Sequence, residues 1–119
     1  MKLITFFFWM SISIHSFSQN QLSGNIQKKF SIGNKEMTEA HQTDLRLYDL
    51  KTKTWSGYYT TDTKGTFSIQ DVKPGQYLLQ VNDQVVKQKN IVFIEVPSWG
   101  KNQVHPILVD RIKKKVIVK

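Results

Sequence analysis

Between residues 66 and 81 the apolar side chains recur at every second position. Phe67 and Ile69 share one parity. After Val72-Lys73-Pro74-Gly75, Tyr77, Leu79 and Val81 share one too. A period of two belongs to a strand with one buried face. The same alternation joins Leu22, Gly24 and Ile26. It also joins Leu45 and Leu47, with Asp44, Arg46 and Tyr48 on the opposite parity. No stretch after residue 18 repeats apolar residues at helical spacing for three turns. Ile91 to Val96 (IVFIEV) is apolar on both parities except at Glu95, which predicts a strand near the centre of a sheet. Val104 to Val109 contains Pro106, which cannot donate to a ladder and predicts an edge or a bulge. Short runs separated by turn signals predict an all-β chain: an antiparallel β-sandwich of about seven strands.

The turn signals have mechanical reasons. In Thr61-Asp62-Thr63-Lys64-Gly65, Asp62 can accept hydrogen bonds from backbone N–H groups, and Gly65 can take the left-handed conformation that closes a hairpin with a bulge. Pro74-Gly75 suits a type II turn. Asn34-Lys35 and Trp99-Gly100 are weaker marks. Residues 33–43 are polar and read as a long loop or one short helical turn.

The 119 residues suffice for one domain and exclude a multi-domain enzyme. Zero Cys excludes disulfides, thiolate zinc sites, iron–sulfur clusters and a Cys nucleophile. Residues 1–18 read as a signal peptide: Lys2 supplies the positive charge, and Leu3 to Ile14 is an apolar run of 12, shorter than the ~20 a membrane span needs. Ser16 and Ser18 place small residues before Gln19, so cleavage is expected after Ser18, with no Cys there to carry a lipid. The expected product is a periplasmic or secreted protein beginning at Gln19. The net charge is +8, and Arg111 to Lys119 holds five of the 17 basic residues and no acidic one. This segment, 111–119, reads as a basic tail or an edge strand following a domain over 19–110.

The run Thr61-Asp62-x-x-Gly65-x-Phe67-x-Ile69, then Val72-x-Pro74-Gly75-x-Tyr77-x-Leu79-x-Val81, resembles the carboxypeptidase regulatory-like domain, whose pattern is TDxxGxFxI…VxPGxYxLxV. Leu22 to Ile26 is similar to that family's opening strand, and Asp44 to Leu47 to its second. The resemblance implies a transthyretin-like, Ig-like β-sandwich common in exported bacterial proteins. It implies a domain that supports, displays or binds and lacks catalytic residues, and it says nothing specific about function.

Other constellations carry less. Ser98, His105 and Asp110 could be written as a triad, but no G-x-S-x-G elbow accompanies them. His41 and His105 with Glu39 could hold a metal, although surface histidines are the plainer reading. Asp62 and Asp71 supply too few carboxylates for calcium. Lys28, Asn102 and Glu95 are conceivable partners for an isopeptide cross-link, without a surrounding signature. No catalytic residue, metal site or cofactor is therefore expected.

Trp55, Tyr58, Tyr59 and Trp99 are left as candidate binding aromatics. Trp55 and Tyr59 share parity and Tyr58 has the other, so one set should enter the core while the other stays exposed. Lys113, Lys114 and Lys115 are candidates for contact with an anionic surface. The expected function is a non-catalytic binding or scaffold module acting on a protein partner at the cell envelope. The alternative is a small carbohydrate-binding module using Trp55, Tyr58 or Trp99. No nucleic-acid role is expected in the cell.

Overall fold

The alternation around Leu22 does produce a strand, and a longer one than expected. The computed structural model describes residues 20–119; the expected signal peptide and the mature start at Gln19 lie outside the described residues. The first strand, β1, runs Gln21–Ile32. It is followed by β2 (Lys35–Ala40), β3 (Asp44–Asp49), β4 (Thr54–Trp55), β5 (Tyr59–Thr60), β6 (Thr66–Gln70), β7 (Gly75–Asn82), β8 (Ile91–Val96), β9 (Lys101–Gln103), β10 (Ile107–Asp110) and β11 (Lys115–Val118). No helix occurs among the described residues. The strands form two sheets packed as a sandwich.

β1 organises the six-stranded sheet by changing partners along its length. Its first half pairs antiparallel with β6, from Gln21↔Gln70 to Asn25↔Thr66. Its second half pairs antiparallel with β2, from Gln27↔Ala40 to Ile32↔Lys35. On the other side run β9 and then β10, both parallel to β1, and β11 pairs antiparallel with β10. The partner change falls at Ile26. Its N–H donates to Gly65 O (2.7 Å), and its carbonyl accepts His41 N–H (3.0 Å). The five-stranded sheet is simpler, with order β4-β3-β7-β8 and β5 beside β3.

The core follows the period-two reading. Leu22, Ile26, Leu45, Leu47, Phe67, Ile69, Tyr77, Leu79 and Val81 are all buried between the sheets. Gly24 is needed there, because a Cβ would stand 2.6 Å from Cζ of the Phe67 ring. The Asp62 turn also forms: Oδ1 accepts the N–H of Lys64 and of Thr66, each at 2.9 Å, and Gly65 has φ +78°.

Several expectations are corrected. The sandwich is mixed rather than antiparallel, because the chain crosses back after β8 and lays β9 and β10 along β1 in the same direction; so distant a segment has the long connection that parallel pairing requires. Among the described residues there are eleven strand segments. The excess over the expected number comes from β2, β9, β11 and the splitting of the Trp55–Thr61 run. Residues 35–40 are a strand and not a loop or helical turn. The hairpin they form with β1 turns at Gly33 (φ +62°) and carries cross-strand ion pairs, Lys28–Glu39 and Lys29–Glu36, each at 3.3 Å. Residues 35–40 offer a single large apolar side chain, Met37, so they leave no apolar alternation to read.

β8 is an edge strand, not a central one: Val92, Ile94 and Val96 face the core while Ile91 and Phe93 face solvent. Pro106 lies in the break between β9 and β10, and β10 itself is internal, between β1 and β11. Gly75 has φ 157° and opens β7, whereas the type II position needs about +80°. Residues 115–118 form an edge strand whose Val116 reaches the core.

Candidate functional site

The outward face of the five-stranded sheet carries a cross-strand row of large side chains. Register places Trp55 opposite Tyr48, Tyr48 opposite Leu78, and Leu78 opposite Phe93. The row therefore crosses β4, β3, β7 and β8, the full width of the sheet. In the neighbouring row Arg46 lies opposite Gln80, and Gln80 opposite Ile91. Residues facing each other across antiparallel strands share a face, so all of these point away from the core formed by Leu47, Leu79 and Val92. Trp55, Tyr58, Ile91 and Phe93 are between 39% and 56% exposed.

Arg46 ties the aromatic end together. Its guanidinium carbon is 3.9 Å from the Trp55 ring centroid and 5.2 Å from that of Tyr58. Its Nε donates to Gln80 Oε1 at 2.7 Å. Trp55 and Tyr48 meet with ring centroids 5.0 Å apart and planes 59° apart. The stack is thus held from beneath by β3 and β7 and has few rotamers left to lose when something docks on it.

The parity argument for Trp55 and Tyr59 fails because the segment is not one strand. Ser56 Oγ accepts Leu47 N–H at 2.9 Å, and the chain leaves the ladder at 56–58. Trp55 and Tyr58 consequently both lie against Arg46, while Tyr59, opposite Leu45, packs on the core. Trp99 belongs to a different place, the bend 98–100, where Gly100 N–H donates to Asn20 Oδ1 (2.8 Å). Lys113 and Lys114 sit in the β10–β11 turn, and Lys115 opens β11. Arg46, Tyr48, Leu78, Ile91 and Phe93 were not among the candidates. The parity of Arg46 and Tyr48, opposite to that of Leu45 and Leu47, was the signal available for two of them.

A second site was also missed. Asp83 is buried, and its Oδ1 accepts His41 Nε2–H at 2.6 Å and Arg111 N–H groups at 2.9 and 3.3 Å. Its Oδ2 caps the N–H groups of Val85 and Val86, each at 2.9 Å. Burial alone would raise the Asp83 pKa. The Arg111 bonds outweigh it, with the Val86 and Val85 N–H groups and His41, and hold the carboxyl well below the usual carboxylate range. Burial pushes the His41 pKa down, against the hydrogen bond and charge of Asp83. His41 Nδ1 is buried and has no hydrogen-bond partner among the described residues. A proton there would have no acceptor, so the neutral ring with Nε2–H is the favoured form.

This group lines a cleft of about 640 Å³ with Lys28, Thr43 and Lys87. The His41–Asp83–Arg111 bonds tie together three segments distant in sequence, the β2–β3 connection, the β7–β8 connection and the end of β10.

The other constellations do not assemble. Asp110 Oδ1 is engaged by the N–H groups of Ile112 and Lys113, while Ser98 and His105 are exposed. Glu39 pairs with Lys28, and among the described residues no three His, Cys, Asp or Glu side chains converge as a metal-binding group. Asn102 donates to Ser98 O, and Glu95 faces solvent on β8, away from Lys28. Comparison with protein-family models and with curated proteins finds no match.

Proposed function

We propose that this chain is an exported, non-catalytic binding module of the carboxypeptidase regulatory-like, transthyretin-like type. In this reading residues 1–18 direct export and are removed, and the module works at the cell envelope. The outward face of the five-stranded sheet is its docking surface, and the occupant is another protein.

The observation that carries this reading is the solvent-facing row Trp55–Tyr48–Leu78–Phe93 with Arg46 stacked on its aromatic end. Contiguous apolar patches on soluble domains mark interaction sites. Trp, Tyr and Arg are the residue types that anchor protein interfaces. A sugar-binding platform is less well supported, because sugars stack on open ring faces. Here one face of Trp55 is covered by Arg46, and Trp55 and Tyr48 are far from coplanar.

The test is affinity capture from the envelope fraction with the wild type, Trp55→Ala, Ile91→Ser/Phe93→Ser and, as controls, Trp99→Ala and Lys35→Ala. The reading expects one protein species held by the wild type and both controls and lost from both sheet-face variants. Retention by the sheet-face variants, loss with Trp99→Ala, or binding only to glycans would overturn it. A dimer of the chain alone that Phe93→Ser dissolves would overturn it as well, by naming a second copy as the occupant.

A further inference from the structure

Two loops distant in sequence bring four lysines around one cleft. The β7–β8 connection supplies Lys87 and Lys89, and the β10–β11 turn supplies Lys113 and Lys114. The cleft measures about 390 Å³ and is completed by Val85 and Gln88. None of these four lysines takes part in an ion pair among the described residues. Ile112, next to Lys113, and Val85 are exposed aliphatic side chains on the same two loops.

The arrangement is fixed by acids that are not available to neutralise it. Asp83 caps the first loop through Val85 and Val86 and reaches across to Arg111 at the start of the second. Asp110 caps the second loop through Ile112 and Lys113. Lys89 O accepts Val116 N–H at 2.9 Å, which ties the first loop to β11 just after the second. Lys89 and Lys114 both have positive φ, +56° and +55°, a conformation uncommon for lysine. Both carboxylates are buried, so the four exposed lysines stand on a braced frame with no ion-pair partner among the described residues.

We propose that this end of the sandwich docks on an anionic membrane surface, the four lysines taking headgroup phosphates while Val85 and Ile112 enter the headgroup boundary. The pairing of lysines with exposed aliphatics favours a lipid surface, which accepts both. A nucleic acid would leave the aliphatics unused, and the cleft is lined by no aromatic ring and no arginine on which bases could stack. The surface is separate from the sheet face above, so either reading can fail without the other.

The test is co-sedimentation of the protein, as the cell produces it, with vesicles of phosphatidylcholine alone or with about 30% phosphatidylglycerol. The neutral vesicles subtract any binding by the apolar residues 3–14. Expected is binding to the anionic vesicles, weakened about 30-fold in Lys87→Gln/Lys113→Gln at roughly one order of magnitude or less per lysine, and weakened severalfold in Val85→Ser/Ile112→Ser with its salt dependence unchanged. Circular dichroism checks that both variants fold. Equal binding by wild type and the lysine variant would overturn the proposal. Vesicle binding abolished by millimolar inorganic phosphate, with the aliphatic variant unaffected, would also overturn it in favour of a discrete phosphate site. So would binding to heparin or DNA without binding to vesicles.

Discussion

The guanidinium carbon of Arg46 lies 3.9 Å from the ring centroid of Trp55 on the solvent side of the five-stranded sheet. The pair joins β3 to the short strand β4, whose ladder with β3 is two register positions long. Arg46→Ala should cost about 0.5–1 kcal/mol in denaturant unfolding, the range of an exposed cation–π contact. Arg46→Lys should recover only part of it, since an ammonium cannot both stack flat on the indole and donate in plane to Gln80. Trp55 fluorescence should shift in both variants and stay unchanged in Lys64→Ala.

Gly65 sits where β1 changes partners. A Cβ there would overlap the carbonyl oxygen of Ile26 and stand 3.2 Å from His41 N, at φ +78°. Gly33 has φ +62° but no described residue within 4 Å of its Cβ position. Gly65→Ala should therefore cost roughly 2–5 kcal/mol, strain plus clash. Gly33→Ala should cost only about 1 kcal/mol, strain alone. Chemical unfolding of the two variants beside Lys64→Ala, expected near neutral, separates the contributions. Equal losses at positions 33 and 65 would contradict the role assigned to the partner change.

The burial of His41, which outweighs its bond to Asp83, gives stability a pH dependence with a definite sign. The folded pKa of His41 is lowered from 6.5, so the unfolded chain takes up the proton first as pH falls. Stability is full above about 6.5 and declines through the interval down to the lowered folded value. Asp83, also lowered, adds a second decline, beginning as the unfolded carboxyl titrates near 3.8 and continuing toward its lower folded pKa. Melting temperature measured from pH 7.5 to pH 3 should fall in both intervals, and His41→Gln should flatten the first and keep the second.

Removing one side of the buried ion pair should be costly. Asp83→Ala leaves Arg111 without its partner and uncaps Val85 and Val86. Breaking a buried pair in this way typically costs about 3–5 kcal/mol. Arg111→Ala removes the partner that lowers the Asp83 pKa most, so the folded value rises toward the unfolded one and the acid-side decline should shrink. Urea unfolding at pH 7 compares the two losses, and unfolding at pH 3 reads the smaller acid-side decline in Arg111→Ala.

The core was legible because its rule is local: a side chain two positions on shares a face, and Phe67, Ile69, Tyr77, Leu79 and Val81 obey it wherever the strands pair. The Asp62–Gly65 turn was legible for the same reason, as its donors and acceptors lie within five residues. What escaped was set by partners far along the chain. Asp83 meets His41 and Arg111 at separations of 42 and 28 residues, and no spacing announces that. IVFIEV reads as a strand buried on both sides, because sequence cannot distinguish a second core from an apolar face left open; Ile91 and Phe93 are the open face. Trp55 and Tyr59 misled the parity count because Ser56, Gly57 and Tyr58 leave the ladder between them.

The central claim is that the Trp55–Tyr48–Leu78–Phe93 face is occupied by a protein partner, and side-chain footprinting tests it most directly. Hydroxyl-radical oxidation of the chain, alone and in its captured complex, reads the solvent access of each aromatic by mass spectrometry. Protection of Trp55, Tyr58 and Phe93 in the complex, with Trp99 as reactive as before, is the expected result. Unchanged oxidation of Trp55 and Phe93, with protection at Trp99, would contradict the account and move the interface to the opposite candidate.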